Sequence, residues 1–156
     1  MTRIQKQFVA KLAIILWSLF SVQVFAAESA QAQVVNAYKT WCDAVGKAQG
    51  NPKAVVKLYA PNSFLLPTFS AKILSNAHGE LNSYFATFTK KDNFKCTTDK
   101  LMTHIYGDVA VNAGLYTFTY DDAGKIQKVP ARFTFVYKQY PQGWLIVSHH
   151  SSELPA

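Results

Sequence analysis

The chain has 156 residues, of which 49% are hydrophobic, 14% aromatic and 16% charged. This length suits one domain around one core and is short for two, and the aromatic content excludes an intrinsically disordered chain. Two cysteines are too few for a disulfide-dense miniature scaffold or for a structural zinc site. The formal net charge is +7, and its distribution along the chain is informative.

The first 26 residues have the pattern of a secretory signal peptide. Three basic residues precede the apolar run 12–20. In Val24-Phe25-Ala26, Val24 and Ala26 are small residues at the two positions that a signal peptidase recognises. The run is shorter than the roughly 20 apolar residues of a membrane span. We therefore predict cleavage after Ala26, a periplasmic or secreted protein with no stable membrane span, and a single mature domain over residues 27–156. Losing the leader lowers the net charge from +7 to +4.

The mature chain offers little support for nucleic-acid or metal binding. Its positive charges are scattered, apart from Lys90, Lys91 and Lys95, so we predict no nucleic-acid partner. The four histidines form neither a His-x-His nor a His-Glu-x-x-His motif, so we predict no metal and no cofactor.

Export would allow Cys42 and Cys96 to form a disulfide, because the compartment would be oxidising. Such a bridge would close a loop of about 55 residues and contribute about 4 kcal/mol on the chain-entropy model. Two separate buried thiols are the alternative, and the sequence leaves both open.

The N-terminal half of the mature chain has the period of amphipathic helices. A first apolar stripe recurs at spacings of four, three and four residues and is formed by Val34, Tyr38, Trp41 and Val45. Asn51-Pro52 suits the start of a short second helix that runs through Tyr59 and stops at Ala60-Pro61. Residues 76–91 carry apolar side chains at helical spacing and predict a third helix.

The C-terminal half changes to a period of two, which is typical of strands. A short strand fits within residues 62–68, and four longer strands fit at about 94–105, 109–120, 127–140 and 144–151. The last connections are short enough to require antiparallel neighbours. The order of elements predicts an α+β domain, in which a curved antiparallel sheet wraps around three helices and leaves a cone with an open end.

Several local patterns resemble a known family. They are Tyr59-Ala60-Pro61, Leu65-Leu66-Pro67-Thr68, Tyr84-Phe85 with Phe88, Ala131-Arg132-Phe133-Thr134-Phe135-Val136-Tyr137, and Trp144-Leu145-Ile146-Val147 with His149-His150-Ser151-Ser152 and Pro155. Together they look like the nuclear-transport-factor-2-like superfamily, which includes SnoaL-like domains. Within it, the chain resembles bacterial relatives of the calcium/calmodulin-dependent protein kinase II association domain.

The resemblance implies a cone that pairs through its sheet, so that the chain's partner is itself, in a homodimer or a larger ring. Kinase activity is not implied, because the chain has neither a Gly-rich phosphate loop nor a His-Arg-Asp catalytic loop. The histidines that close the kinase domain are two residues apart. Of the adjacent pair in this chain, His150 therefore aligns, and His149 has the weaker claim.

Eight polar and aromatic residues are candidates to line the cone: Trp41, Tyr59, Tyr84, Asn112, Tyr116, Arg132, His149 and His150. Arg132 alternates with Phe133 and Phe135, so either the arginine or the two rings face the interior, and the resemblance favours an inward arginine. An inward guanidinium would need a partner such as a small anionic organic ligand. The adjacent histidines must point to opposite faces, so one of them is the site candidate.

The sequence leaves the function open between three hypotheses. We favour an exported oligomerisation and small-ligand-binding domain without kinase activity, because the acidic residues fall on a helix or near strand ends and turns rather than beside Arg132. The alternative is a dehydratase-like lyase or isomerase with a histidine base, for which His150 and His104 are the candidates. The third is a purely structural domain whose cone is filled by side chains.

Overall fold

A computed structural model describes residues 28–155, so the predicted signal peptide lies outside the described residues. The helices are α1 (Ala30–Lys47), α2 (Lys53–Val56) and α3 (Glu80–Phe88). The strands are β1 (Tyr59–Leu66), β2 (Leu74–Ser75), β3 (Asp92–Tyr106), β4 (Val109–Asp122), β5 (Lys125–Tyr140) and β6 (Gly143–Glu153). The predicted α+β fold is confirmed.

The six strands form one sheet in the order β2-β1-β6-β5-β4-β3. All neighbours are antiparallel except β1 and β6, which are parallel. The pairing of β3 with β4 shifts register between Thr98 and Lys100. Gly114 pairs with Leu101 beside this bulge, and a Cβ atom on Gly114 would meet the carbonyl oxygen of Lys100. A bulge of this kind bends a strand and increases its twist.

The helices pack against one face of the curved sheet, which we call the inner face. On β5 it presents Ala131, Phe133, Phe135 and Tyr137, all buried. The buried stripe of α1 contacts this row, since Tyr38 stacks on Phe133 with ring centroids 5.0 Å apart and Trp41 meets Phe135 edge-on at 4.9 Å. The opposite, outer face of β5 presents the alternating residues Arg132, Thr134, Val136 and Lys138.

A disulfide joins α1 to β3. Cys42 follows Trp41 in the buried part of α1, and Cys96 lies on the edge strand of the sheet. Their Cα atoms are 5.4 Å apart and the two sulfurs are bonded. The sequence left open a disulfide or two separate buried thiols, and the structure has the disulfide.

The structure differs from the sequence prediction at three elements. Tyr59 and Ala60 begin β1 instead of ending the second helix, because pairing with Ile146 of β6 and the following proline both favour extended backbone. The third helix is shorter than residues 76–91, since Gly79 has a left-handed φ of 72° immediately before it. The two-residue strand β2 was not predicted.

Candidate functional site

A hydrogen-bonded chain of three aromatic side chains lies inside the cone. The indole Nε1 of Trp41 donates to the hydroxyl of Tyr59 at 2.9 Å, and that hydroxyl lies 2.8 Å from Nδ1 of His149. The three side chains come from α1, β1 and β6, and all are buried. Because the Tyr59 oxygen accepts from Trp41, its own proton is free to be donated to His149.

These hydrogen bonds indicate which ring nitrogen of His149 carries the proton. With Nδ1 accepting a proton from Tyr59, the neutral ring carries its proton on Nε2. Burial lowers the pKa of His149 well below its usual value, and the nearby His150 lowers it further. Nε2 is buried and has no hydrogen-bond partner. The ring is also stacked on Phe135, with centroids 3.8 Å apart, which fixes its orientation.

A second hydrogen-bonded group lies beside these three side chains, and it lines a small cavity that Trp41 and His149 also line. The Tyr116 hydroxyl donates to Oγ of Ser151 at 2.6 Å, and Ser151 is also hydrogen-bonded to Thr68. Burial raises the pKa of Tyr116 far above its usual value, so the phenol stays protonated. The cavity is about 10 Å³, which is about the space that one water molecule needs. The described interior of the cone is therefore filled by side chains.

Five of the eight predicted pocket residues are buried in this interior, namely Trp41, Tyr59, Asn112, Tyr116 and His149. Tyr84 is half-buried and lines the cavity from α3. The amide of Asn112 donates to the backbone of Val34 at 3.5 Å. Two interior residues that the sequence analysis did not propose, Thr68 and Ser151, also line the cavity. Ser151 could have been found, because it is two residues from His149 on the same strand face.

Two of the predicted pocket residues, Arg132 and His150, lie on the outer face of the sheet and not inside the cone. Arg132 is exposed and its Nε donates to Ser152 at 3.0 Å, so the prediction of an inward arginine is wrong. His150 is exposed as well, and His149 has the inward position. The reason is the alternation that the sequence showed: Phe133 and Phe135 bury more apolar area than Arg132 could, so the rings take the inner face.

The chemistry available in the interior is that of neutral hydrogen-bonding groups. Within residues 28–155 no Asp or Glu is buried, and no cluster of His, Cys, Asp and Glu side chains has the arrangement of a metal site. His104, the other histidine considered as a base, is exposed and paired across from Val111 on the outer face.

Over the same described range, no helix is both long and apolar enough to cross a membrane.

The outer face of the sheet carries an uncovered apolar patch. Its centre, here called the outer stripe, consists of Met102, Val111, Ala113, Leu115 and Val136. These residues are neighbours across three strands, because Ala113 pairs with Met102 on one side and Val111 pairs with Val136 on the other. Met102 is 53% exposed. The charged side chains Lys100, Arg132 and Lys138 surround the stripe instead of interrupting it.

Comparison with known proteins gives a consistent assignment. A protein of Xanthomonas campestris named for the calcium/calmodulin dependent protein kinase II association domain is 39% identical, with 80% of this chain and 87% of that chain covered and a TM-score of 0.72. The S. rosetta CaMKII hub shares the fold at 17% identity, covering 83% of this chain and 100% of that one, with a TM-score of 0.69.

A protein of the NTF2-like family from Streptomyces avermitilis, named for dehydratase activity, also shares the fold. It is 19% identical, covers 81% of this chain and 96% of that one, and has a TM-score of 0.71. No curated protein gives a significant match. The sequence profile of the calcium/calmodulin dependent protein kinase II association domain matches residues 30–155, and the chain therefore belongs to this association-domain family.

Proposed function

We propose that this chain is an exported association domain, which assembles with copies of itself through the outer face of its sheet. The observation that carries the proposal is the outer stripe. Helices α1 and α3 contact the inner face and α2 contacts those two helices, so no helix of residues 28–155 packs on the outer face. An uncovered apolar sheet face is a recognised mark of a protein interface.

The distribution of charge supports a second copy as the partner. Arg132 and Lys138 lie beside the stripe on β5, so they would occupy the rim of an interface centred on Val111 and Ala113, where charged groups remain solvated. A twofold axis through the stripe would place apolar residues against themselves, as an isologous interface requires. The names of the family and of the S. rosetta hub agree with this proposal.

The lyase or isomerase alternative receives less support. Its two candidate bases, His150 and His104, are both exposed on the outer face. His149 is inside, but the cavity beside it has room for about one water molecule. A substrate could reach His149 only if the packed side chains around it moved.

The proposal is tested by placing a charge in the stripe. In Val111→Glu a carboxylate would have to be buried against an apolar partner surface, so we expect at least tenfold weaker association than in the native chain. The matched control is Thr119→Glu, on the same strand and the same face, opposite Lys128. Sedimentation equilibrium of residues 27–156 measures the association constants, and circular dichroism reports on folding.

The expected result is an oligomer for the native domain and Thr119→Glu, and a folded, dissociated chain for Val111→Glu. A native domain that stays monomeric at about 100 μM would contradict self-association, since a biological interface of standard size binds more tightly than that. Equal weakening by the two glutamates would contradict the location of the interface.

A further inference from the structure

A groove with aromatic walls opens beside α3, apart from the outer face. It has a volume of about 280 Å³ and is lined by Phe69, Tyr84, Thr87, Phe88, Lys91 and Tyr120. We call it the aromatic groove. Its residues come from the segment after β1, from α3 and the turn that follows, and from the end of β4. Because Tyr120 belongs to the inner face, self-association through the outer stripe would leave the groove open.

The walls of the groove are flat aromatic rings, of which Phe69 is exposed, Tyr84 is half-buried, and Phe88 and Tyr120 are buried. Tyr84 and Phe88 stack with an interplanar angle of 15° and centroids 5.4 Å apart. Phe69 leans on Phe88 at 5.7 Å, yet 43% of it remains exposed. The exposed ring of Phe69 beside the half-buried Tyr84 favours contact with a further planar ring, by offset stacking or edge-to-face packing.

One side chain of the groove carries a charge. The ammonium of Lys91 lies 4.0 Å from the centroid of the Tyr120 ring, so a cation–π contact holds it at the groove. Residues 28–155 contain two salt bridges, and Lys91 takes part in neither. Asp92 and Asp121 line an adjoining surface to which Lys91 also belongs, but neither carboxylate forms a salt bridge with Lys91. Within residues 28–155 the ammonium of Lys91 therefore has no salt-bridge partner.

We propose that the aromatic groove is a binding site for a small aromatic carboxylate. The ring of the ligand lies against Phe69 and Tyr84, and its carboxylate accepts a charge-assisted hydrogen bond from Lys91. The groove volume of about 280 Å³ lies just below the usual range for small-molecule sites, which matches a ligand with one ring. The combination of flat apolar walls with a single cation at the edge selects such a ligand over an aliphatic acid or a neutral arene.

The test is a calorimetric and NMR titration of the domain with benzoate, and with benzamide as the neutral molecule of the same shape. Lys91→Met removes the charge and keeps the apolar stem of the side chain. Lys39→Met is the matched control, because Lys39 is an exposed lysine of α1 that lines no part of the groove. Thr87→Trp fills the groove from the exposed side of α3.

We expect one benzoate per chain, bound about tenfold more tightly than benzamide, which is the contribution of one charge-assisted hydrogen bond at a partly exposed site. Lys91→Met should remove that preference, Lys39→Met should keep it, and Thr87→Trp should abolish binding of both molecules in a folded chain. No detectable binding at about 10 mM benzoate would overturn the proposal, because a dissociation constant above that concentration is too weak for specific recognition. Equal affinity for the two molecules, or unchanged binding to Thr87→Trp, would overturn it as well.

Discussion

Tyr59 and His149 show how a single buried hydroxyl can determine the protonation of a neighbouring ring. The Tyr59 oxygen receives the Trp41 proton and offers its own to Nδ1 of His149. A protonated His149 would carry a hydrogen on both nitrogens, so it could not accept from Tyr59. Burial and this hydrogen bond therefore act in the same direction, and both favour the neutral ring.

The neutral, buried His149 predicts how stability depends on pH. In the folded chain its pKa lies well below the usual value, whereas the unfolded chain takes up a proton at about pH 6.5. The unfolded state thus binds more protons as the pH falls, and the free energy of unfolding decreases. We expect His149→Gln, which keeps an acceptor for Tyr59 but does not titrate, to lose about 1.4 kcal/mol less than the native chain between about pH 7.5 and about pH 5.5.

Urea denaturation at the two pH values measures this difference. The other three histidines, His78, His104 and His150, are present in both chains. Equal pH dependence in the native chain and in His149→Gln would contradict a neutral His149 in the folded state.

Strand and helix patterns could be predicted wherever the local period and the tertiary environment agree. Alternation from Val109 onward identifies β4, and the four-three-four spacing that starts at Val34 identifies α1. The spacing of Tyr59 predicts a helix, but its pairing with Ile146, a residue 87 positions later in the chain, overrides that local preference. The strand β2 has only two residues, too few to show an alternation of apolar and polar side chains, so it could not be predicted from the sequence.

The same limit applies to the candidate site. Alternation shows that Arg132 and Phe133 point to opposite faces, and likewise His149 and His150, but it does not say which face is inner. That choice is made by total burial across the sheet, and here Phe133, Phe135 and Tyr137 decide it. The resemblance to a family with inward arginines predicted the opposite side for Arg132 and His150.

Gly114 gives a prediction about the bend between β3 and β4. A Cβ atom at this position would collide with the carbonyl oxygen of Lys100 and lie 2.9 Å from the Phe133 ring. We expect Gly114→Ala to lower the free energy of unfolding by about 3 kcal/mol, because backbone atoms cannot yield as a flexible side chain can. Gly46→Ala is the matched control.

The control should move in the other direction. Gly46 lies in α1, its nearest neighbour to an added Cβ is 3.7 Å away, and alanine is favoured over glycine within a helix by about 1 kcal/mol. Urea denaturation measures both variants. If Gly114→Ala were as stable as the native chain, β3 and β4 would not approach as closely as the structure shows.

At the scale of the whole molecule, the disulfide connects the first helix to an edge of the sheet. Cys42 and Cys96 are separated by 54 positions, and the bond ties the long helix α1 to the edge strand β3. On the chain-entropy model a link of this span contributes about 4 kcal/mol, a large share of the 5–15 kcal/mol that is typical of domains. Such a bond persists in an oxidising compartment, which supports the proposal that the chain is exported.

Export and the disulfide make a joint prediction for the protein expressed with its full sequence in a bacterium. We expect the periplasmic fraction to contain a chain that begins at residue 27 and whose intact mass is two hydrogens below that of the dithiol form, because cleavage after Ala26 and oxidation of Cys42 and Cys96 both follow translocation. Mass spectrometry without reducing agent measures both changes at once. Cys42→Ser with Cys96→Ser is the control, and it should show the same cleavage, no mass shift on reduction, and a free energy of unfolding lower by about 4 kcal/mol. A cytoplasmic chain that retains residues 1–26 would contradict export, and a cleaved chain with two free thiols would contradict the structural role of the bond.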